Sequence, residues 1–485
     1  MFVGTASDVG KSIITAGFCR IFRQDGHCPA PFKAQNMSLN SYATPEGLEI
    51  GRAQAVQAEA AGIPCHVDMN PVLLKPTSDQ ASQVVLNGRP IGTQSAYEYF
   101  RANDQHELFT AATQAFDRLA NRYSPVVLEG AGSISELNLK RRDITNLRMA
   151  RHAGAATYLV ADIDRGGVFG SVYGTLALLE PEEKACIKGI IINKFRGDAR
   201  LFEEGRQQLA ALTGVPVVGV LPYFRDIFLE EEDSVALARK QRSPTPAGRV
   251  AVAVILLGRM SNFTDFDALS HDPRVHLFYT HDATELATAD IIILPGSKNT
   301  IDDLITLKNN GLAAAIIQAH RAGKTVVGIC GGYQMLGRSV EDPDGVESRV
   351  AATAGLGLLP VRTVLQGEKT TRQRRFTFRD APAADCQGYE IHMGHTTPDG
   401  AAQPVATLAD GTADGYYAGP TCWGTYLHGI LDNAQVIEHL LAPYTTQPPS
   451  APLDFTAFKN SQFDHLADLI RANVDLAQIY ADLQR

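Results

Sequence analysis

Short apolar runs alternate with stretches of helical periodicity along most of the 485-residue chain. These runs lie at 125–128, 157–161, 187–192, 215–221, 250–257, 289–294 and 325–329. Apolar strands separated by helices at this spacing predict βαβ units, in which helices cover both faces of a parallel sheet. The pattern therefore predicts an α/β fold with doubly wound parallel sheets.

The chain is too long for one hydrophobic core, because single cores stop growing at roughly 250 to 300 residues. Apolar periodicity is lost between residues 230 and 248, which carry charged clusters and a Ser-Pro-Thr-Pro sequence. Such a composition is typical of a linker. We predict one α/β domain at 1–229, a linker at 230–248, a second α/β domain at 249–444, and a C-terminal connection with packing helices at 445–485.

The first candidate site is the glycine-rich sequence at 4–12, a phosphate loop one residue longer than the common spacing. Its backbone N–H groups, including those of Thr5 and Gly10, can face a phosphate. Lys11 supplies charge to the terminal phosphates, and the Ser12 hydroxyl can ligate Mg²⁺. A chance glycine-rich turn is disfavoured because Gly-Lys-Ser stands between a strand and a helix. The loop predicts ATP binding.

Polar residues at the ends of other predicted strands complete this site. Glu129 ends a strand before Gly-Ala-Gly, which predicts an acidic Mg²⁺ ligand near the phosphate loop. Asn193, at another strand end, either contacts a nucleobase or caps the next helix. Gln35, Asn36 and Asn40 lie in a polar loop where ligands bind in open α/β sheets, so they are candidates for metal, nucleotide or substrate contact. Loop amides that cap turns are almost as common.

The second candidate site is the Gly-Ile-Cys-Gly-Gly sequence at 328–332, which follows an apolar strand and precedes a helical pattern. Glycines on both sides of a cysteine are typical of a nucleophile elbow, where a tight turn exposes one side chain. Cys330 is therefore the predicted nucleophile. The N–H of Gly331 and the turn at Gly296 and Ser297 are predicted to form the oxyanion hole and to contact the substrate.

A thiol nucleophile needs a base, and His428 is the best candidate because it follows a short apolar strand and precedes a glycine. His392 alternates with apolar residues along another strand and is predicted, together with Glu390, to line the site. A third residue that orients His428 is not evident, since Ile430 stands where an acid would be convincing. Glu390 or Asp432 could contribute, but the simpler prediction is a Cys-His dyad.

Composition narrows the possible functions. The net charge of −9 argues against a general nucleic-acid surface, which needs an excess of Lys and Arg. No apolar run approaches the roughly 20 residues of a membrane-spanning helix, and the start has no signal-peptide pattern. Seven widely spaced cysteines without a Cys-x-x-Cys pair suit reduced thiols. We expect a cytoplasmic protein that binds neither membrane nor nucleic acid.

These motifs resemble the cobyric acid synthase family of corrinoid amidotransferases, over nearly the whole chain. The first half resembles the dethiobiotin-synthetase group of phosphate-loop enzymes through 4–12 and 129–132. The second half resembles class I glutamine amidotransferases through 328–332, 388–392 and 426–429. Residues 32–41 are the most specific segment, because the sister enzymes that amidate the a and c side chains should carry an acidic loop there.

The resemblance implies that ATP phosphorylates carboxylates of adenosylcobyrinic acid a,c-diamide, and that ammonia from glutamine then forms the b, d, e and g amides. It implies ATP and Mg²⁺ as cofactors, with glutamine and a corrinoid acid as substrates. One rival is the a,c-diamide enzyme, which differs at residues 35–40. Another is a partition-type ATPase switch fused to an inactive amidotransferase fold, but such switches carry an additional lysine that residues 5–8 lack.

Overall fold

The computed structural model describes residues 1–77, 81–95, 105–230, 245–379, 385–401, 403–445 and 453–483. The described helices are Lys11–Gln24, Arg52–Ala61, Gln105–Ala120, Leu147–Ala153, Val168–Ala177, Pro181–Lys184, Glu203–Thr213, Asp267–Ser270, Ala283–Leu286, Thr300–Asn309, Leu312–Arg321, Gly331–Leu336, Ala434–Leu441, Phe455–Asn473 and Leu476–Leu483. No described helix combines the length and the apolar character needed to cross a bilayer.

A parallel sheet forms the centre of the first half. Its strands lie in the order Ala30–Phe32, Val126–Leu128, Phe2–Gly4, Thr157–Asp162, Ile187–Phe195 and Val217–Pro222. A bridge between Phe2 and Glu129 joins the first pair of strands to the other four. Because all these strands run parallel, their carboxyl ends bring the phosphate loop, Glu129 and Asn193 to one edge.

A second sheet organises the other half of the chain. Its strands lie in the order Val275–Thr280, Val250–Ile255, Ile291–Leu294, Thr325–Ile329, Cys422–Thr425 and Tyr416–Gly419. All neighbours are parallel except the last pair. The four central strands of this order are fully buried, as expected for a sheet covered on both faces, whereas the two edge strands are only partly buried. The predicted α/β fold with two parallel sheets is confirmed.

Smaller sheets extend both halves. In the first half they comprise Gln35–Met37, Val72–Pro76, Ala81–Leu86 and Arg89–Ser95, and the pair Ser41–Ala43 and Glu49–Gly51. In the second half they comprise Ala352–Ala354, Ser339–Glu341, Val361–Phe378, Cys386–Pro398, Ala406–Leu408 and Ala413–Asp414, and the pair Met260–Ser261 and Gly296–Ser297. The long hairpin of 361–378 and 386–398 reaches the first half, where Gln373 Nε2 donates to the Ala43 carbonyl at 2.9 Å.

The segment at 34–61 differs from its sequence-based prediction. Residues 34–41 were expected to be a loop, but Gln35–Met37 pairs with Val72 to Leu74. A further strand, Glu49–Gly51, pairs with Ser41–Ala43 directly before helix Arg52–Ala61. Both strands depend on partners outside their own local sequence pattern, so periodicity alone could not reveal them.

The chain returns to its first domain at the C-terminus. Helix Phe455–Asn473 packs on helix Lys11–Gln24, and the Arg20 guanidinium pairs with Asp464 at 2.7 Å. A side chain at Gly17 would collide with Ile470, so this glycine allows the helices to approach closely. The predicted packing role of the C-terminal helices therefore involves the phosphate-loop domain.

Most of the predicted linker, residues 231–244, lies outside the described residues. Its first residue, Glu230, has a buried side chain that pairs with Arg52 at 2.6 Å and with Lys459 at 3.4 Å. Lys459 belongs to the C-terminal helix and also pairs with Glu59 at 2.7 Å. The end of the first domain is thus fixed by a buried ion-pair network.

Candidate active sites

Cys330 lies in a tight turn between strand Thr325–Ile329 and helix Gly331–Leu336. Its backbone has φ 52° and ψ −109°, a strained conformation for a residue with a side chain. A side chain at Gly332 would collide with the Leu294 carbonyl group. This geometry is the nucleophile elbow that the glycine-flanked cysteine predicts, and it explains why glycine follows the cysteine.

His428 and an aspartate lie beside this elbow. The His428 imidazole lies close enough to the Cys330 sulfur for the charges of the two groups to interact, and its Nδ1 lies 2.7 Å from Asp265 Oδ2. The Cys330 Sγ donates to the Ile391 carbonyl at 3.6 Å. The N–H of Gly429 donates to the other Asp265 oxygen at 2.9 Å. Two contacts fix the carboxylate, which in turn fixes the ring. The site is therefore a Cys-His-Asp triad, and the predicted dyad is corrected.

Sequence reasoning missed Asp265 because it precedes His428 by 163 residues. It lies in a short helical turn, Phe263–Phe266, that follows strand Val250–Ile255 in the same sheet. The available signal was the polar cluster just beyond the carboxyl end of that strand, where site residues collect in α/β sheets. The two candidates that the sequence offered, Glu390 and Asp432, do not pair with His428, whose carboxylate partner is Asp265.

The charges of the triad favour a protonated histidine. Burial lowers the pKa of His428, but the Asp265 carboxylate and the Cys330 sulfur outweigh burial and raise that pKa to about 10. The ring is therefore an imidazolium at neutral pH. An imidazolium beside a cysteine stabilises the thiolate, which is the nucleophilic form.

The predicted oxyanion turn lies against the elbow. A Cβ added to Gly331 would lie 2.8 Å from the Ser297 backbone nitrogen, so the two segments are in direct contact. The Ser297 hydroxyl donates a hydrogen bond to Asp303 Oδ2 at 2.6 Å. Gly296 lies beside the ring of His428. The geometry brings the predicted residues together, and their oxyanion role stays a prediction.

The two predicted glutamine contacts on strand Cys386–Pro398 differ from each other. His392 lines the cavity beside Cys330 and stacks on Tyr426, with ring centroids 3.8 Å apart. Glu390 is buried and pairs with Arg374. Glu390 Oε1 also lies 3.5 Å from His392 Nε2, and its contact with glutamine stays a prediction.

A small cavity of about 30 Å³ adjoins Cys330. Lys298, Lys369 and Glu347 of the second half line it. Lys75 of the first domain lines it as well, and its ammonium group pairs with buried Glu49 at 2.7 Å. The phosphate-loop domain thus forms part of the wall of the cysteine site.

The phosphate loop begins where strand Phe2–Gly4 ends. Gly10 has φ 99°, a conformation that favours glycine, and it caps helix Lys11–Gln24. The Lys11 ammonium donates to the carbonyl groups of Ala6 at 3.0 Å and Gly132 at 2.9 Å. The lysine therefore lies folded over the loop where phosphates would bind.

Glu129 faces the phosphate loop as predicted. Its carboxylate accepts a hydrogen bond from the Ser12 hydroxyl at 2.8 Å, from Lys33 at 2.9 Å and from Gln57 at 2.6 Å. Burial opposes ionisation, but Lys33 and these hydrogen bonds lower the pKa of Glu129 below its ordinary value. The sequence analysis did not identify Lys33 and Gln57 as partners of Glu129. The available signal for Lys33 was its position at the end of an apolar run, directly before the polar loop.

The Asn193 amide serves the loop itself. Its Nδ2 donates to the Val9 carbonyl at 2.8 Å, and its Oδ1 accepts from the N–H of Lys194 at 2.8 Å. The side chain is buried under Gly10. The amide nitrogen of Asn193 thus supports the phosphate loop, and its contact with a nucleobase stays a prediction.

A large cavity of about 1770 Å³ opens over the phosphate loop. Its lining includes Lys11, Ser12, Glu129 and the three predicted amides Gln35, Asn36 and Asn40. Arg141 and Arg142 also line it, and neither forms an ion pair among the described residues. The cavity combines a phosphate site with cationic groups suited to an acidic substrate.

Comparison with known proteins supports this division. Residues 1–235 match the family described as "CobQ/CobB/MinD/ParA nucleotide binding domain", and residues 251–436 match "CobB/CobQ-like glutamine amidotransferase domain". Together with the triad and the phosphate loop, these matches define a glutamine-dependent amidotransferase enzyme with a nucleotide-binding domain.

Relatives of similar length give a narrower assignment. Cobyric acid synthase of Parabacteroides distasonis is 62% identical over 488 residues, covering 100% of this chain and 98% of the relative. The Bacteroides fragilis enzyme of that name is 63% identical, covering 99% and 97%. That of Syntrophobacter fumaroxidans is 48% identical, covering 99% and 97%. The chain belongs to the cobyric acid synthase family.

Proposed function

We propose that this chain makes cobyric acid by amidating the b, d, e and g carboxylates of adenosylcobyrinic acid a,c-diamide. The reaction uses ATP to activate each carboxylate and glutamine to supply ammonia. The observation that carries the proposal is the pairing of two sites in one chain: a Cys-His-Asp triad, and a phosphate loop under a large cavity whose lining includes Arg141 and Arg142. Neither site alone would form an amide from glutamine.

In the glutaminase half-reaction, the Cys330 thiolate attacks the carboxamide carbon of glutamine. The C–N bond breaks as His428 transfers its proton to the leaving nitrogen, which departs as ammonia. Backbone N–H groups at Gly331 and the 296–297 turn stabilise the oxyanion. Water then hydrolyses the thioester, releasing glutamate and restoring the thiolate. Asp265 keeps His428 oriented and charged through these steps.

In the synthetase half-reaction, Lys11 and the loop N–H groups stabilise charge on the transferred phosphoryl group. The residues present fit Mg²⁺, which is usually held by one or two carboxylates together with phosphates. The Ser12 hydroxyl and the Glu129 carboxylate lie 2.8 Å apart and would be its protein ligands. When bound, the ion neutralises phosphate charge. Lys33 holds Glu129 in place for this role.

The large cavity suits a corrinoid acid. Its volume of about 1770 Å³ exceeds the range of roughly 300 to 1,000 Å³ that small-molecule pockets occupy. Arg141 and Arg142 provide charge for substrate carboxylates, and Asn36 and Asn40 face the same space.

We further propose the domain limits 1–229 and 249–444. A reducing cytoplasm fits the seven cysteines, which are all unpaired.

Mass spectrometry of the product tests this function. The enzyme is incubated with ATP, Mg²⁺, glutamine and cobyrinic acid a,c-diamide, and the amides added to each corrinoid are counted. Four added amides, dependent on both ATP and glutamine, are expected. Amidation of cobyrinic acid at the a and c positions, with the diamide left unchanged, would instead assign the sister activity. No corrinoid mass gain with any nitrogen source would contradict the proposal.

A further inference from the structure

Aromatic side chains connect the first domain to the histidine of the triad. The Tyr389 ring lies on the His428 imidazole, with ring centroids 5.2 Å apart and planes inclined by 24°. The ring of Tyr42, from the first domain, packs edge to face on Tyr389 with centroids 4.5 Å apart. The Arg52 guanidinium lies over the Tyr42 ring, 4.7 Å from its centroid. We call Tyr42, Tyr389 and His428 the ring stack.

Backbone hydrogen bonds hold Tyr389 and His428 side by side. The N–H of Tyr389 donates to the His428 carbonyl at 3.0 Å, and the N–H of His428 donates to the Tyr389 carbonyl at 2.8 Å. Gly388 allows this close approach, because a Cβ there would lie 2.7 Å from the His428 carbonyl oxygen. The contact between the two rings therefore rests on a fixed backbone.

The Tyr389 ring restricts a rotation that Asp265 alone does not define. Asp265 contacts the His428 ring at its Nδ1 edge. The torsion that turns a histidine ring about its Cβ–Cγ bond has broad energy wells, so a contact at one edge leaves the plane of the ring loosely set. Tyr389 covers a face of that ring, and the two residues are 3% and 1% exposed. An aromatic face also accommodates a cation, which suits the imidazolium.

The first domain in turn holds the Tyr389 ring. Strand Ser41–Ala43 carries Tyr42, and Ala43 packs with Tyr389 in one buried apolar cluster. Gln373 is the partner of Tyr389 across the hairpin, and its Nε2 donates to the Ala43 carbonyl at 2.9 Å. The Tyr389 ring is thus packed against both halves of the chain.

We propose that Tyr389 is a positioning residue for His428 in glutamine hydrolysis, and that Tyr42 of the first domain keeps Tyr389 in place. The proposal rests on the proposed function, because that function gives His428 the transfer of a proton to the leaving nitrogen. Proton transfer requires a well-oriented ring, and a small misplacement lowers the rate of the chemical step. The support comes from the fold of the first domain and needs no occupant of the phosphate loop.

Two substitutions at Tyr389 test its role. Tyr389→Phe keeps the ring, whereas Tyr389→Leu removes it and keeps an apolar side chain. In Tyr389→Leu we expect the kcat of glutamate release to fall about tenfold with the KM for glutamine little changed, and Tyr389→Phe should stay near wild type. An unchanged kcat in Tyr389→Leu, an equal fall in both variants, or a change confined to KM would overturn the assignment.

Substitutions at Tyr42 test the part played by the first domain. Tyr42 is only partly buried, so its replacement is the milder change and guards against misfolding. Tyr42→Leu should lower the kcat of glutamate release about threefold, and Tyr42→Phe should retain it. Tyr173→Leu, on the exposed face of helix Val168–Ala177, is the matched control and should change nothing. Wild-type kcat in Tyr42→Leu would overturn the role of the first domain.

Amidation with free ammonium separates the possible causes of a loss. Each variant should amidate the corrinoid from ammonium at close to the wild-type rate, because the stacked rings support the cysteine site. A joint loss of glutamine hydrolysis and ammonium-dependent amidation in Tyr389→Leu and Tyr42→Leu would show that the rings only pack the domains together, which contradicts the positioning role. Wild-type enzyme that fails to hydrolyse glutamine would instead contradict the proposed function.

Discussion

The cysteine site and the phosphate site are organised in opposite ways. At the cysteine site the reactive groups interact with one another: Asp265 holds His428, whose charge interacts with the Cys330 sulfur. At the phosphate site the reactive groups are instead bound to other groups of the protein. The Lys11 ammonium, for example, donates hydrogen bonds to backbone carbonyl groups. The first site is thus ready to react without a second ligand. The second is arranged so that phosphates and metal replace internal contacts.

The largest expected effect separates the two sites completely. Cys330→Ala should lower glutamine-dependent amidation by about 10³-fold, because no other group can form the thioester. Amidation with free ammonium should stay near the wild-type rate, since the phosphate site is untouched. Parallel assays with the two nitrogen sources measure this. Retention of glutaminase activity in the variant would show that Cys330 is not the nucleophile.

Lys11→Ala is the converse test and has the next largest effect. Loss of its charge on the transferred phosphoryl group should lower amidation from either nitrogen source by about 10²-fold or more. Glutamine hydrolysis should continue, because the triad holds itself together. Phosphate release and glutamate release are measured side by side. Equal losses of phosphate release and glutamate release would mean that the cysteine site depends on an occupied phosphate site. That result would contradict the view that the triad is ready to react by itself.

Asp265→Asn tests whether the Asp265 carboxylate orients and charges His428. Without the carboxylate, glutaminase kcat should fall by about 10²-fold, because the ring loses its orientation and its charge partner. The sign of the pH effect follows from the raised pKa of His428, about 10. The imidazolium persists until pH rises through that value, so lowering the pKa moves the alkaline limb of the pH–rate profile to lower pH.

Asp432→Asn is the control for that experiment. Asp432 lies near His428 in the sequence, and burial raises its pKa to about 7, but the carboxylate that pairs with His428 is that of Asp265. We expect its substitution to leave the alkaline limb unmoved. A shifted limb in Asp432→Asn together with an unshifted limb in Asp265→Asn would reassign the third member of the triad.

What the sequence could predict depended on whether the relevant residues were close in the chain. The elbow at Cys330, the phosphate loop and the acid of Glu129 each carry their own flanking glycines, so local pattern was sufficient. Asp265 carries no such flanks, and only the sheet brings it to His428. The same holds for Lys75, which reaches the cysteine site only because the domains pack together. Contacts between distant segments depend on tertiary packing, which periodicity does not encode.

The smallest expected effect concerns the contact between the two sites. Glu49 is fully buried between Lys75 and Lys369, one from each half of the chain. Burial opposes its ionisation, yet the two lysines hold the pKa of Glu49 well below its usual range. Glu49→Gln would leave two buried ammonium groups without their carboxylate. We expect a loss of about 3 kcal/mol in the free energy of unfolding, measured with denaturant.

The matched control for Glu49→Gln is Glu182→Gln, which removes an exposed partner of Arg151. Exposed pairs contribute roughly 0 to 1 kcal/mol, so little change is expected there. Similar small losses in both variants would show that the buried cluster does not hold the halves together. A large loss in Glu49→Gln alone, accompanied by more glutamine hydrolysed per amide formed, would show that this cluster keeps the otherwise self-sufficient cysteine site joined to the synthetase.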